Sequence, residues 1–191
     1  MGRARPRGSV RPTAQRVREA LFSSLGERVR EAAVLDLYAG TGALGLEALA
    51  RGARRVVFVE RDPRLAARIR ERLRRQGWVG RSRVWRAAVR TALRALEAAG
   101  ERFDLILMDP PYGRGLLQET LDALAGGALL SPGARIVAEG HWRDEPHPPP
   151  GLTCVRTGRY GETRVWEYAA RDLRGGDGRP SGDDGALSGE L

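Results

Sequence analysis

The sequence predicts an α/β fold, a mostly parallel sheet wound in both directions with helices on its two faces. Three observations predict it. Short apolar runs alternate with stretches of helical periodicity, the pattern of right-handed βαβ units. The first run breaks into a turn where Gly40, Gly42 and Gly45 keep the G-x-G-x-x-G spacing, so strand, loop and helix follow one another. Acids stand at three run ends, Asp36, Glu60 and Asp109, and sheets of this kind bind ligands beyond the carboxyl ends of their strands.

Each element follows from its residues. Residues 1–11 are Arg-, Gly- and Pro-rich with almost nothing to bury, which predicts a flexible basic arm of the kind that grips nucleic acid. A helix opens at Thr13 as N-cap, puts Val17, Leu21, Phe22 and Leu25 on one face and stops at Gly26. The first strand and its glycine turn lead into a crossover helix over 43–51, and 56–60 is a second strand. Pro63 starts a helix over 64–76 with Leu65, Ile69 and Leu73 as its buried stripe; its arginines make either a solvated face or an RNA contact. Strands at 83–86 and 103–108 bracket a helix over 91–99, and a helix over 115–125 precedes a strand at 134–138. Residues 147–151 are a Pro-rich connector, and His141 and His147 read as loop residues. Segments 153–156 and 164–169, joined by a loop over 157–163, form an antiparallel hairpin that closes the sheet. Residues 12–170 thus form one domain, and 171–191, rich in Gly, Ser and Asp without apolar periodicity, form a disordered tail.

Bulk composition narrows the function. A chain of 191 residues suits one domain with a proper core, and two enzymes in tandem would not fit. The net charge of +9 points to a polyanionic partner. No lysine occurs, so all 33 basic side chains are arginine. Phosphate recognition and a coding bias toward arginine would both produce that count. Cys154 is alone and no Cys/His cluster has metal-ligand spacing, so neither a disulfide framework nor a metal is expected. With no long apolar run and no signal core, the expected location is the cytoplasm, without membrane contact.

The acids point to chemistry. Asp36 lies in a run fit for a buried strand, where a carboxylate keeps its charge only if something pairs with it. A dinucleotide would bring a pyrophosphate, which an acid repels. S-adenosyl-L-methionine (AdoMet) brings an ammonium and a sulfonium. Glu60, 20 residues after Gly40, stands where doubly wound folds hold ribose hydroxyls. In Asp109-Pro110-Pro111-Tyr112 the prolines remove N–H groups and fix φ, so the Asp109 carboxylate and the Pro110 carbonyl can both face outward as acceptors. Two acceptors suit an exocyclic amine on a base. Holding its two hydrogens favours pyramidal nitrogen and aims the lone pair at a methyl group, while the carboxylate stabilises the developing positive charge. Tyr112 could stack on a flipped base.

The chain resembles the bacterial 16S rRNA (guanine(966)-N(2))-methyltransferases of RsmD type, within the Rossmann-like class I AdoMet-dependent methyltransferases. The likeness runs from Arg11 to Ala169 and rests on Arg11-Pro12-Thr13, Val17-Arg18-Glu19-Ala20-Leu21-Phe22, the segment from Leu35 to Ala48, Asp109-Pro110-Pro111-Tyr112, and Tyr160-Gly161-Glu162-Thr163. It implies a seven-stranded sheet and methyl transfer from AdoMet to the N2 amine of a guanine in 16S rRNA, within an assembled or partly assembled small subunit, by a monomer that needs no metal. By resemblance, Asp36, Gly40 and Gly42 line the methionyl end of AdoMet, Glu60 holds the ribose and Thr13 closes over the cofactor. Tyr38, Ala39, Thr41, Arg61 and Asp109 complete the cofactor set. Asp109, Pro110, Pro111 and Tyr112 receive the amine, and Arg3, Arg5, Arg7, Arg11 and Arg159 meet RNA. One departure stands out. Where such enzymes often carry an Asp for the adenine amino group, this chain has Arg86-Ala87-Ala88-Val89, so adenine recognition falls to backbone near Ala87 and Ala88.

Three other readings are open. An adenine-N6 methyltransferase on DNA or RNA could use the same four residues. A nicotinamide-dependent oxidoreductase shares the glycine spacing and Glu60, though Asp36 and the Pro-Pro turn count against it. A non-catalytic RNA-binding module would leave the strand-end acids unexplained.

Overall fold

In a computed structural model, which describes residues 12–171 and side chains from Gln15 onward, seven strands form one sheet in the order β3-β2-β1-β4-β5-β7-β6. They are β1 (Ala33–Leu37), β2 (Arg55–Val59), β3 (Ser82–Trp85), β4 (Phe103–Met108), β5 (Leu130–His141), β6 (Leu152–Tyr160) and β7 (Thr163–Ala170). The first five are mutually parallel, and β7 runs antiparallel between β5 and β6. Five helices cover the sheet: α1 (Pro12–Leu25), α2 (Ala43–Ala50), α3 (Pro63–Arg75), α4 (Val89–Ala98) and α5 (Leu116–Gly126). The expected α/β class and its antiparallel closing hairpin are therefore what the chain forms.

Alternation along the strands separates two cores. Leu35, Ile106, Met108 and Ile136 pack with Leu96 of α4 and Leu121 and Leu124 of α5. On the other face, Val34, Leu105, Leu107 and Val137 pack with Phe22 of α1, Leu49 of α2 and Ile69 and Leu73 of α3. Every residue of β1 is buried, as a central parallel strand covered on both faces requires. The chain leaves β1 on one side to reach β2 and later returns on the other as β4. That reversal opens a crevice above the carboxyl end of β1.

Several boundaries differ from the sequence reading. Thr13 is inside α1, whose first residue is Pro12, a residue whose fixed φ and missing N–H suit a first helical position. α4 begins at Val89, before Thr91, and β5 extends past Ala138 to His141, so His141 ends a strand. The loop expected over 157–163 is strand except for a two-residue turn at Gly161 and Glu162. Gly161 takes φ 65 there, as the first central position of a type II′ turn demands. The hairpin places Arg159 opposite Arg164, a repulsive pairing on its face. Each guanidinium lies instead over an indole, Arg159 4.3 Å from the Trp142 ring centre and Arg164 5.7 Å from that of Trp166. The arm at 1–11 and the tail from residue 172 lie outside the described residues.

Candidate active site

A cavity of about 640 Å³ opens above the carboxyl ends of β1, β2 and β4. The turn after β1 shapes its floor. Tyr38 adopts φ 58, Gly40 φ 56 and Gly42 φ 77, left-handed values that fold the chain back before α2 and are natural only to the glycines. Tyr38 is held in that conformation from across the cavity. Its hydroxyl lies 2.8 Å from Oγ1 of Thr120 on α5, and since Thr120 donates to the Leu116 carbonyl at 2.7 Å, Tyr38 is the donor.

Glu60 ties the first two strand ends together. Its Oε2 accepts the Gly40 N–H and its Oε1 accepts the Asp62 N–H, each at 2.7 Å, and the residue is buried. Each oxygen keeps lone-pair capacity for a ligand hydroxyl. Asp62 in turn caps α3, accepting the N–H groups of Arg64 at 2.7 Å and Leu65 at 3.1 Å, with Pro63 at the first helical position.

Asp36, expected to meet a cationic ligand directly, is not among the residues lining the cavity. It lies under the turn, 1% exposed, and its Oδ2 accepts the Gly45 N–H of α2 at 2.9 Å. Desolvation raises its pKa to about 7, the Gly45 bond opposes the shift, and the charges of Asp109 and Glu60 add to it. Its influence on a ligand is therefore through space. Gly45 has no room for a side chain: a Cβ there would overlap Cε1 of Phe58 and stand 2.8 Å from Oδ2 of Asp36. Gly45→Ala is expected to cost about 1–3 kcal/mol by overpacking, lowering the thermal midpoint by several degrees in a scanning-fluorimetry melt.

Asp109 follows the last residue of β4 and lines the cavity. Although its surface is open to solvent, surrounding protein desolvates the carboxyl enough to bring its pKa up to about 6. Pro110 and Tyr112 border a second, smaller cavity of about 270 Å³, and Pro111, Arg114 and Leu116 line both. The Tyr112 ring is 48% exposed and sits 6.0 Å from the His141 ring, tilted by 59°.

The structure thus gathers Tyr38, Gly40, Glu60, Arg61, Ala87, Ala88, Asp109 and Pro111 around one cavity. Ala39, Thr41 and Gly42 serve the turn: the Ala39 N–H reaches the Val59 carbonyl, the Gly42 N–H that of Ala39, and the Thr41 carbonyl accepts from Arg72. Arg159 is exposed on the hairpin, apart from the cavity. Arg3, Arg5, Arg7 and Arg11 lie outside the described residues, as does the side chain of Thr13. Sequence reasoning missed Arg90, Arg114 and Thr120 on the cavity wall, and Glu139 beside Asp109. Among the described residues no group of His, Cys, Asp and Glu could hold a metal ion, and no helix is long and apolar enough to cross a membrane.

Residues 3–169 match the family described as Conserved hypothetical protein 95. The chain is 35% identical over 167 residues to "Putative rRNA methyltransferase YlbH" of Bacillus subtilis, spanning 85% of this chain and 89% of that one. It is 37% identical over 130 residues to "Ribosomal RNA small subunit methyltransferase D" of Escherichia coli, spanning 68% of this chain and 64% of that protein. Its fold matches the solved structure titled "Putative methyltransferase yhhF from Escherichia coli" with a TM-score of 0.78 at 33% identity, covering 87% of this chain and 90% of that one.

Proposed function

This chain belongs to the Conserved hypothetical protein 95 family, the RsmD-type methyltransferases, and from that premise we propose that it methylates the N2 amine of a guanine in 16S rRNA. The coarser activity, AdoMet-dependent methylation of ribosomal RNA, follows from the family and the fold together. The observation that carries the finer reading is the placing of two carboxylates on one cavity. Glu60 ends β2, Asp109 ends β4, and β1 with its glycine turn lies between them.

AdoMet suits the residues present. Gly40 faces the cavity, and a Cβ added there would meet only the Tyr38 carbonyl, at 3.8 Å, so backbone borders the ligand space directly. When bound, AdoMet supplies an electrophilic methyl group on a sulfonium. Glu60 would accept hydrogen bonds from the ribose hydroxyls with the lone pairs its two backbone partners leave free. Backbone at Ala87 and Ala88 would read the adenine, and the Arg61 guanidinium can lie on its face.

The smaller cavity bordered by Pro110 and Tyr112 supports an entry for the base, next to the larger one at the diproline corner. There the Asp109 carboxylate and the Pro110 carbonyl would each hold one hydrogen of the amine. The nitrogen lone pair then points toward the methyl carbon, and positive charge develops against a carboxylate already in place. After transfer, Asp109 takes the surplus proton from nitrogen and releases it to water at the open side of the site. No metal enters this scheme.

The test is product identity. Protein, AdoMet and small ribosomal subunits are incubated beside free 16S rRNA and duplex DNA, and the nucleosides are identified by mass spectrometry. N2-methylguanosine from rRNA is the expected product; N6-methyladenosine from any of the three substrates would overturn the assignment.

A further inference from the structure

Glu139 has no part in the scheme above, yet the sheet places it beside Asp109. In the β4–β5 ladder Leu107 pairs with Val137 and Met108 with Ala138, so the next residues, Asp109 and Glu139, stand level at the carboxyl ends of neighbouring parallel strands. Alternation also puts them on one face. Leu107 and Val137 belong to the core under α1 to α3, Met108 and Ala138 to the core under α4 and α5, and Asp109 and Glu139 therefore return to the first face. Neighbouring strands are about 4.8 Å apart, so the longer glutamate can bring its oxygens alongside those of the aspartate. Among the described residues neither carboxylate accepts a hydrogen bond from protein. Desolvation, with a smaller contribution from the Asp109 charge, brings Glu139 up to about 7.

Two adjacent acceptors that no donor among the described residues satisfies suit a ligand that carries two adjacent donors. A guanine presents that pattern on its Watson–Crick edge, N1–H beside the N2 amine. Adenine places a lone pair at N1, next to its amine, and that lone pair would face a carboxylate. Taking the guanine-N2 reading as given, we propose that Glu139 is the specificity-determining residue of the site, accepting the guanine N1–H while Asp109 holds the amine. A site built to pair with a donor rejects the analogue that lacks it, because a buried acceptor is then left facing a lone pair.

The test uses small subunits reconstituted with 16S rRNA that carries guanine or 2-aminopurine at the target. The analogue keeps the amine but offers a lone pair at N1. The wild-type protein is expected to prefer guanine by roughly 100-fold or more in kcat/KM. Glu139→Gln keeps the shape of the side chain and can turn its amide N–H to N1 of the analogue. It should lose activity on guanine, gain relative activity on 2-aminopurine and narrow the preference at least tenfold, with AdoMet affinity within a factor of two. A ratio that does not move in the variant overturns the inference and leaves the guanine-N2 reading standing. Wild-type protein that methylates both bases within threefold of each other also overturns it, whatever the variant does. If wild-type protein forms no N2-methylguanosine on guanine particles, the functional reading fails, and this inference with it.

Discussion

Asp109→Ala is expected to reduce methyl transfer by roughly 10³-fold while changing AdoMet affinity less than tenfold, because the charge it removes is needed only as the amine nitrogen becomes positive. Asp109 is on the open side of the cavity, whereas the groups assigned to the cofactor's ribose and adenine line the wall formed after β2 and β3. Asp109→Asn should fall between the two. It keeps a carbonyl to accept one hydrogen of the amine and loses the charge, so a loss of roughly 10- to 100-fold is expected. The same carboxylate contributes a step to the acid limb of the pH profile, below the one expected from Glu139. Its pKa is brought up to about 6, and only the ionised form is a pure acceptor. Activity should therefore fall as pH drops through 6, and this step should disappear from the residual activity of the alanine variant, which keeps only the step near 7 that protonation of Glu139 contributes. Single-turnover rates with saturating AdoMet, measured across pH 5 to 8, read both effects, and an alanine variant within tenfold of wild type would remove Asp109 from the chemistry.

Much of this site was legible because strand ends carry their own punctuation. Gly40 and Gly42 mark a left-handed turn, Gly45 marks where the next helix passes too close to Phe58 and Asp36 for a side chain, and the prolines after Asp109 mark where a strand must stop. Asp36 was singled out correctly as a buried acid, but its partner was not. The Gly45 N–H that satisfies it comes from the next helix, and sequence spacing carries no information about which orphan amide at a helix start will turn inward. Glu139 was missed for a different reason. The run Ile136-Val137-Ala138 reads as ending one residue too soon, and what gives the next residue meaning is its register against β4, a relation between segments about 30 residues apart. Tyr38 and Thr120 meet across 82 residues for the same reason, through packing that no local pattern expresses. The length of the hairpin was missed because 157–163 reads as a loop; in the folded chain the indoles beneath Arg159 and Arg164 let the two cations stand opposite one another across the strands.

Glu60→Ala is expected to weaken AdoMet binding by roughly 10²- to 10⁴-fold, since hydrogen bonds to a charged acceptor contribute about 1.5–3 kcal/mol each and the ribose offers two donors. The loss also reaches the protein itself. With the carboxylate gone, the N–H groups of Gly40 and Asp62 lose their partners, and the turn after β1 is no longer tied to the cap of α3. A melt should therefore show a lower midpoint for the free variant and a smaller rise on adding AdoMet, because stabilisation by a ligand scales with how far its concentration exceeds Kd. Glu60→Gln will not rescue the site. Both oxygens of Glu60 face backbone donors, so one of them must be replaced by an NH₂ that opposes an N–H, and the amide loses the charge that strengthens the remaining bonds. Its affinity should stay at least tenfold below wild type by calorimetry. If the alanine variant bound AdoMet as tightly as wild type, the ribose would have to lie elsewhere, and the assignment of the cavity's two ends would be reversed or wrong.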